Sequence, residues 1–504
     1  MSTTSGRLGG PKGRRWADIV VVTSGLATAA SLGAVTAYLV ATGKVVLALA
    51  VLLAVPIGYL VVKHPLSVIA IWLAFTPFLV TTEGGSIRKA YWVVHRAIPV
   101  AALGVITAQV LLRDDTRRLP RLGWPEWAMA GYVGVSVLSI LHTSDAAVAT
   151  LFHLFDRVVV PMCLYLLVRL APPGERELRR VIPVIAFLLV SQAVFGIASW
   201  VAPDVLPRAW LGRVGLRTTG SLGHPNVYGT TLLFAGVVLL HYGLIRPRGG
   251  VPRWLLRAGY PIALLMVFMT YSRASWLAAL IVSIGLIALH PRHMAKILVV
   301  GALLIATLLG SGIVDGQIEM ALRRFRSEQS EESALSRLPV ALASLRMLQE
   351  KPVQGWGYGN FDAVSAEFQG SVDGVFVPDK EHASHNLYLT LLAEQGVTGF
   401  LLYLGPAALL LVASAGAWNH LPATGLRSRR LVGALWLVLA AHVVVNMYSN
   451  MRVVFGLGLW WLVLGVIASV VLEHRRAPQS ARTSQRPVDD REQGVGAGSL
   501  TSRA

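Results

Sequence analysis

Cysteine is almost absent from this sequence, and negative charge is scarce. A single cysteine, Cys163, in 504 residues excludes any intramolecular disulfide, so the loops must fold without covalent staples. Only 26 Asp and Glu stand against 45 Lys and Arg, and charged residues make up 14% of the chain, well under the ~25% of an average soluble domain. Several catalytic signatures are missing too. There is no Gly-x-x-x-x-Gly-Lys, no Gly-x-Gly-x-x-Gly after a strand, no paired-Cys or His-Glu-x-x-His metal spacing, and no Asp-x-Asp for a nucleotide-sugar metal. These absences argue against ATP hydrolysis and against a nucleotide-sugar donor. A substrate that arrives already activated fits better, with no cofactor.

Hydrophobic residues fill the chain instead: 54% of the composition, with a mean hydropathy of +0.60. The fold class this predicts is all-α, a polytopic transmembrane helix bundle. Apolar runs from 19–41 to 453–472 give 12–14 spans, those near 65–80, 126–141 and 157–170 being short for a bilayer core of about 30 Å. The organisation read from them is a tail at 1–18, helices with short loops over 19–314, a long segment at 315–396, final helices over 397–472, and a polar, aperiodic and disordered tail at 473–504.

A net charge of +19 would suit nucleic acid if it lay along one face, but it comes in bursts between apolar runs. Arg14 with Arg15, Lys63, Arg113 to Arg121, Arg176 to Arg180, Arg246 to Arg257, Arg292 with Lys296, Arg427 to Arg430, and Arg475 with Arg476 all fall in alternate gaps or at the termini. By the positive-inside rule those loops and both termini are cytoplasmic. The opposite gaps are then external: 202–226, the tight turn at Tyr271 to Arg273, the segment 315–396, and Tyr448 to Arg452. Within the long segment, Ser333 to Gln349 carries Leu335, Leu338, Leu342, Leu345 and Leu348 at helical spacing, which predicts an amphipathic helix with a kink or late start at Pro339. EKPVQGWGYGNF, Glu350 to Phe361, reads as a tight irregular loop.

Three groups on the external side carry chemistry. Arg217 lies in GLRTTGSLGHPNVYG, Arg273 in MTYSRASW, and His385 in SHNLYLTLLAEQGVTGF. A boundary arginine either snorkels and sets topology or binds an anion, and two of them where the positive-inside rule disfavours them suit bidentate capture of phosphate oxygens. His385 reads either as a structural histidine at a helix start or as a proton acceptor near neutral pH. Asn386 can cap or orient, Glu394 can pair with an arginine or cap the next helix, and Gly396 with Gly399 permits a sharp re-entry into the membrane.

Taken together, SHNLYLTLLAEQGVTGF and the upstream KPVQGWGYGNF resemble the signature of the O-antigen ligase and polymerase family, and GSLGHPNVYG and TYSRASW resemble its two other markers. The resemblance spans roughly Arg213 to Trp461. After Arg337 the chain has Leu-Pro-Val where the family often has an aromatic residue. Membership implies a membrane glycosyltransferase of the bacterial cytoplasmic membrane, acting on its outer face with a polyprenyl-pyrophosphate-linked glycan as donor and a lipid, protein or glycan as acceptor. It implies that Arg217 and Arg273 grip the pyrophosphate, that His385 is base or orienter, and that Asn386 and Glu394 belong to the substrate site. Chemistry agrees, because expelling a polyprenyl pyrophosphate builds negative charge that two fixed guanidinium groups can meet without a metal. A polymerase of the same family shares these residues. A lipid-linked glycan flippase or exporter is the alternative from another class, but it should show repeated halves and ionisable groups near the bilayer midplane. Sidedness is testable in intact cells with an impermeant thiol reagent. A cysteine at Gln369 should label and one in the loop 419–430 should not, and the reverse pattern would invert the orientation and the site with it.

Overall fold

The computed structural model describes residues 58–61, 63–64, 66–81, 85–112, 122–211, 217–245, 252–310, 337–369, 384–450 and 452–474, with single residues at 34, 41, 316 and 319. The expected tail at 1–18, the span at 19–41, most of that at 45–62, most of 311–336, all of 370–383 and the tail beyond His474 lie outside them. Helix accounts for 83% of the described residues and no strand occurs among them, so the protein is the all-α bundle its composition implies. Seven described helices are long and apolar enough to cross a membrane, and two shorter ones, Ser67–Leu79 and Arg273–Leu289, are apolar as well.

The chain divides into two compact units, residues 1–118 and 119–504. In the first, α1 (Ser67–Leu79) is followed by α2 (Gly85–Tyr91), which runs through a π turn, Trp92–Ala97, into α3 (Ile98–Leu112). Trp72 of α1 is fully buried and donates from Nε1 to Nδ1 of the buried His95, 3.2 Å away.

The second unit holds α4 (Trp124–Thr143), α5 (Ala147–Leu154) continuing through a π turn into α6 (Val160–Leu170), α7 (Glu175–Val201), α8 (Pro225–Ile245), α9 (Arg253–Phe268), α10 (Arg273–Leu289), α11 (Pro291–Gly310), α12 (Arg337–Glu350), α13 (Phe361–Phe368), α14 (Leu387–Ala417), α15 (Arg429–Met447) and α16 (Val454–His474). Helices α8 and α16 are apolar on every side and form its core. Around α8 pack α7, α9, α10 and α15, while α16 lies along α6. Backbones approach closely where residues are small: a Cβ on Gly236 of α8 would stand 2.8 Å from the Cβ of Ala263 in α9. At one end, Glu126 of α4 is buried and accepts from Arg169 Nε and Tyr165 OH of α6, both at 2.9 Å, which pins these two helices together.

Helix α14 starts at Leu387, ten residues before the run expected at 397, because Asn386 caps it: its Oδ1 accepts from Tyr388 N at 2.9 Å and Leu389 N at 3.1 Å. The helix then breaks at Gly396, whose φ of 62° and ψ of −167° belong to a region open essentially to glycine alone. The loop 351–360 repairs the break from both sides. Its carbonyls at Pro352 and Val353 accept from Val397 N at 2.8 Å and Thr398 N at 3.3 Å, and its own Trp356 N and Gly357 N donate to Ala393 O at 3.0 Å and Glu394 O at 2.6 Å. The N–H groups of Val397 and Thr398 and the carbonyls of Ala393 and Glu394, on either side of the kink, are thereby paired. Helix α12 starts at Arg337 with Pro339 in its first turn. It buries Val340, Ala343 and Met347 against Phe361 and Ala393, while Leu338 and Leu345 of the leucine stripe stay exposed. Smaller side chains let α12 approach α14 more closely than that stripe would.

Gly396→Ala should lower the melting temperature of the detergent-solubilised protein, since the backbone conformation alone costs about 1–3 kcal/mol and a Cβ would lie 2.4 Å from the Val353 carbonyl. Gly405→Ala, whose Cβ would meet nothing closer than 3.8 Å, serves as the control. Equal melting of the two variants would mean that the kink is not fixed by the docked loop.

Candidate functional site

One end of the second unit gathers the C-terminal ends of α4, α7, α9 and α15, the starts of α8, α10, α14 and α16, and the loops between them. The loop entering α8 is held from below by Gln192 of α7, whose Nε2 donates to Ser221 Oγ at 2.7 Å and whose Oε1 accepts from Ser221 N at 3.1 Å. It is tied sideways to the α9–α10 turn. Arg217 Nε donates to Thr270 O at 3.1 Å, Thr218 N donates to Met269 O at 3.3 Å, and Asn226 Oδ1 accepts from Ser272 Oγ and, at 3.4 Å, from Ser275 Oγ. Ser272 also caps α10. The turn contains Tyr271 at a φ of +47°, a strained position for an aromatic residue. Its ring lies 6.1 Å from Trp200 and 6.4 Å from Trp276, centroid to centroid. Arg273 follows at the first position of α10 with its residue exposed, while Arg217 is half-buried.

His385 is set by its neighbours. Ser384 Oγ accepts from Asn386 N at 3.2 Å and donates to Asn386 O at 3.0 Å, closing a tight turn about the histidine just before α14. His224, in the loop before α8, is half-buried and accepts at Nδ1 from Asn226 N at 3.2 Å. Burial first, and then the fields of Arg217 and His385, hold the His224 imidazole down to about 4. Arg217 and His385, far apart in the chain, thus both act electrostatically on His224, a residue that sequence reasoning did not single out.

Beside this group lies a buried ion pair. Glu394 is almost wholly buried and its Oε2 stands 2.5 Å from Arg452 Nη2, while its Oε1 accepts from Phe361 N at 3.4 Å. Burial alone would lower the Arg452 pKa, but the Glu394 carboxylate outweighs it and raises it above arginine's ordinary value. Arg452 also lies over the Tyr358 ring, 5.6 Å from its centroid. Hydrogen bonds tie the segment that carries Arg452 to the start of α14, next to His385: Asn450 Nδ2 donates to Thr390 Oγ1 at 3.3 Å, and Thr390 Oγ1 donates to Asn386 O at 2.9 Å.

Of the residues named from sequence, Arg217 and His385 both act on His224, Arg273 stands on the turn that Arg217 grips, Asn386 caps α14, and Glu394 is paired with Arg452. His224 and Arg452 were missed. Both carried a signal: His224 directly precedes the Pro-Asn that opens α8, and Arg452 is a third arginine in a gap where the positive-inside rule disfavours one. Among the described residues no group of three or more His, Cys, Asp or Glu side chains is arranged to hold a metal ion.

Residues 259–404 match the family model described as O-antigen ligase. Over this stretch the chain is similar to the O-antigen ligase family. The match takes in Arg273, the loop 351–360, His385, Asn386 and Glu394, and leaves Arg217, His224 and Arg452 outside it. No curated protein matches the chain. Together with this match, the seven described helices long and apolar enough to cross a membrane fit a membrane protein.

The ion pair yields its own test. Glu394→Ala and Arg452→Ala should each lower the melting temperature strongly, because each leaves an uncompensated charge. The double variant should lose about 1–3 kcal/mol less than the sum of the two. Strict additivity would show that the two side chains do not depend on one another.

Proposed function

We propose that the protein transfers a glycan from a polyprenyl-pyrophosphate carrier to a lipid, protein or glycan acceptor on the outer face of the cytoplasmic membrane, without a metal ion. The observation that carries this is the convergence of Arg217 and His385 on His224, at the turn that also presents Arg273. A cation and a proton acceptor brought to one point are what such a transfer requires. The acceptor hydroxyl oxygen attacks the anomeric carbon, the bond from that carbon to the pyrophosphate oxygen breaks, the hydroxyl proton passes to the His385 imidazole, and polyprenyl pyrophosphate leaves. Negative charge grows on the leaving group as the bond lengthens, and a fixed guanidinium there lowers the barrier because it needs no reorganisation.

Arg217 is positioned for this by the bond from its Nε to the Thr270 carbonyl, which fixes the guanidinium at the α9–α10 turn. The exposed Arg273 supplies the second fork. Asn386 and Glu394, expected in the substrate site, act in this reading by fixing the start of α14 and so the place of His385: one caps the helix and the other anchors its kink to Arg452. The apolar helices beneath take the prenyl chain. The alternating basic bursts support the outward orientation. A polymerase would use the same residues and differ only in its acceptor. A flippase is disfavoured because the charged groups sit together at one end of the bundle.

Purified protein with a glycan-loaded polyprenyl pyrophosphate and an acceptor tests the scheme. Arg217→Lys and Arg273→Lys keep charge but lose the bidentate fork, and should each cut transfer by on the order of 10²-fold while folding normally. His385→Ala should lose transfer by about 10²–10⁴-fold yet still bind donor. His385→Gln, which hydrogen-bonds but accepts no proton near neutral pH, should be as inactive as the alanine variant. Wild-type turnover in both lysine variants would reject the pyrophosphate clamp, and near-normal turnover in His385→Gln would reject proton transfer at this residue.

A further inference from the structure

His224 stands in the loop that carries Arg217, and that loop is tied to the α9–α10 turn on both sides of it, by Arg217 to Thr270 and by Asn226 to Ser272, yet it has no role so far. Its geometry restricts what it can do. Nδ1 accepts from the backbone N–H of Asn226 at 3.2 Å, so in the neutral ring the proton must be on Nε2. The acceptor's partner cannot drift, because Asn226 is itself locked by Ser272 and Ser275 of α10, and the His224 carbonyl accepts from Tyr228 N at 3.0 Å in the first turn of α8. The imidazole is thus fixed in orientation and tautomer, with an N–H presented on the side away from Asn226.

The groups acting on His224 are Arg217 and His385. A guanidinium has no acceptor, so it cannot take the Nε2 proton's hydrogen bond. An anionic oxygen held by Arg217 can. We propose that His224 is a third donor-binding residue, whose Nε2–H hydrogen-bonds an oxygen of the prenyl pyrophosphate alongside the Arg217 guanidinium. The proposal rests on the donor reading above and deepens it. Neutrality is what makes the residue useful there. With a pKa near 4 the ring stays uncharged at neutral pH, so it adds a directional donor without adding a cation beside His385. A cation there would lower the basicity of His385, the group that must accept the acceptor's proton. The site would then hold phosphate by charge from the arginines and by direction from His224.

Two substitutions separate this role from a merely structural one. In His224→Asn the amide oxygen sits near the place of Nδ1 and keeps the bond to Asn226 N–H, but no donor reaches the place of Nε2. In His224→Gln the reverse holds. Binding of a short-chain prenyl pyrophosphate to the full-length, detergent-solubilised protein is the measurement, with the corresponding prenyl alcohol as the phosphate-free probe. His224→Asn should melt as wild type and bind the pyrophosphate roughly tenfold more weakly, with alcohol binding unchanged. His224→Gln should stay within about threefold of wild type, even where its melting temperature falls. The opposite ranking, with Asn binding as wild type and Gln weakly, would make His224 a loop residue only and overturn the proposal. If Arg217→Lys weakens binding while both His224 variants bind as wild type, this proposal fails and the donor reading stands. If the wild type does not bind prenyl pyrophosphate, or Arg217→Lys binds it as wild type does, both fail.

Discussion

An unpaired backbone N–H or C=O inside a membrane bundle costs several kcal/mol, and the active end of this protein is built under that constraint. Irregular backbone is needed there, because a site that holds a charged headgroup cannot be made from continuous helices alone. Wherever the chain leaves helical geometry, a second irregular segment answers it. The break at Gly396 and the loop 351–360 exchange hydrogen bonds in both directions. Likewise the loop before α8 and the α9–α10 turn are tied by Arg217, Thr218 and Asn226. Two such pairings, one on either side of His385, leave that histidine little freedom to move.

Charge is handled by the same economy. Arg452 and Glu394 satisfy one another deep in the framework, where the carboxylate's other oxygen accepts from Phe361 N and so anchors the docked loop as well. Arg217 donates from Nε to the Thr270 carbonyl and so ties its loop to the α9–α10 turn. Where a second positive group would be harmful, beside His385, a histidine held neutral takes its place. Three polar residues that look alike in sequence thus have three fates, set by what lies within reach of each.

Much of this was legible beforehand, and the rest was not, for identifiable reasons. The bundle itself follows from hydropathy, and Arg217, Arg273 and His385 were singled out by composition, sidedness and motif. Asn386 was read as a cap and is one, since a short polar side chain before an apolar run has few other uses. The start of α14 was missed because Leu387 to Glu394 mixes polar and apolar residues and because a helix broken at Gly396 looks, to a hydropathy window, like a loop followed by a span. The buried face of α12 was missed because leucines at helical spacing are the strongest pattern there, whereas the structure selects Val340, Ala343 and Met347 for closeness of approach. His224 and Arg452 were overlooked because their importance lies in partners more than a hundred residues away, or in a helix not yet known to be adjacent.

That last difficulty also explains the extent of the family match. Residues 259–404 include Arg273, His385 and the loop 351–360 that docks on α14. The groups outside it, Arg217 and His224 from before α8 and Arg452 from before α16, are supplied by the flanking helices. In a bundle whose α8 and α16 form the apolar core, these flanking residues are carried to the site by the most deeply buried helices in the unit. A residue mounted at the end of a core helix is held rigidly without needing local sequence around it to do so. The matched segment can therefore keep the motif-like stretch near the chemistry, while the anion-facing groups depend on how the core packs. On this view the precision of the donor site is a property of the bundle, and the identity of the acceptor is left to the more exposed surface of α12, α13 and the segment between them.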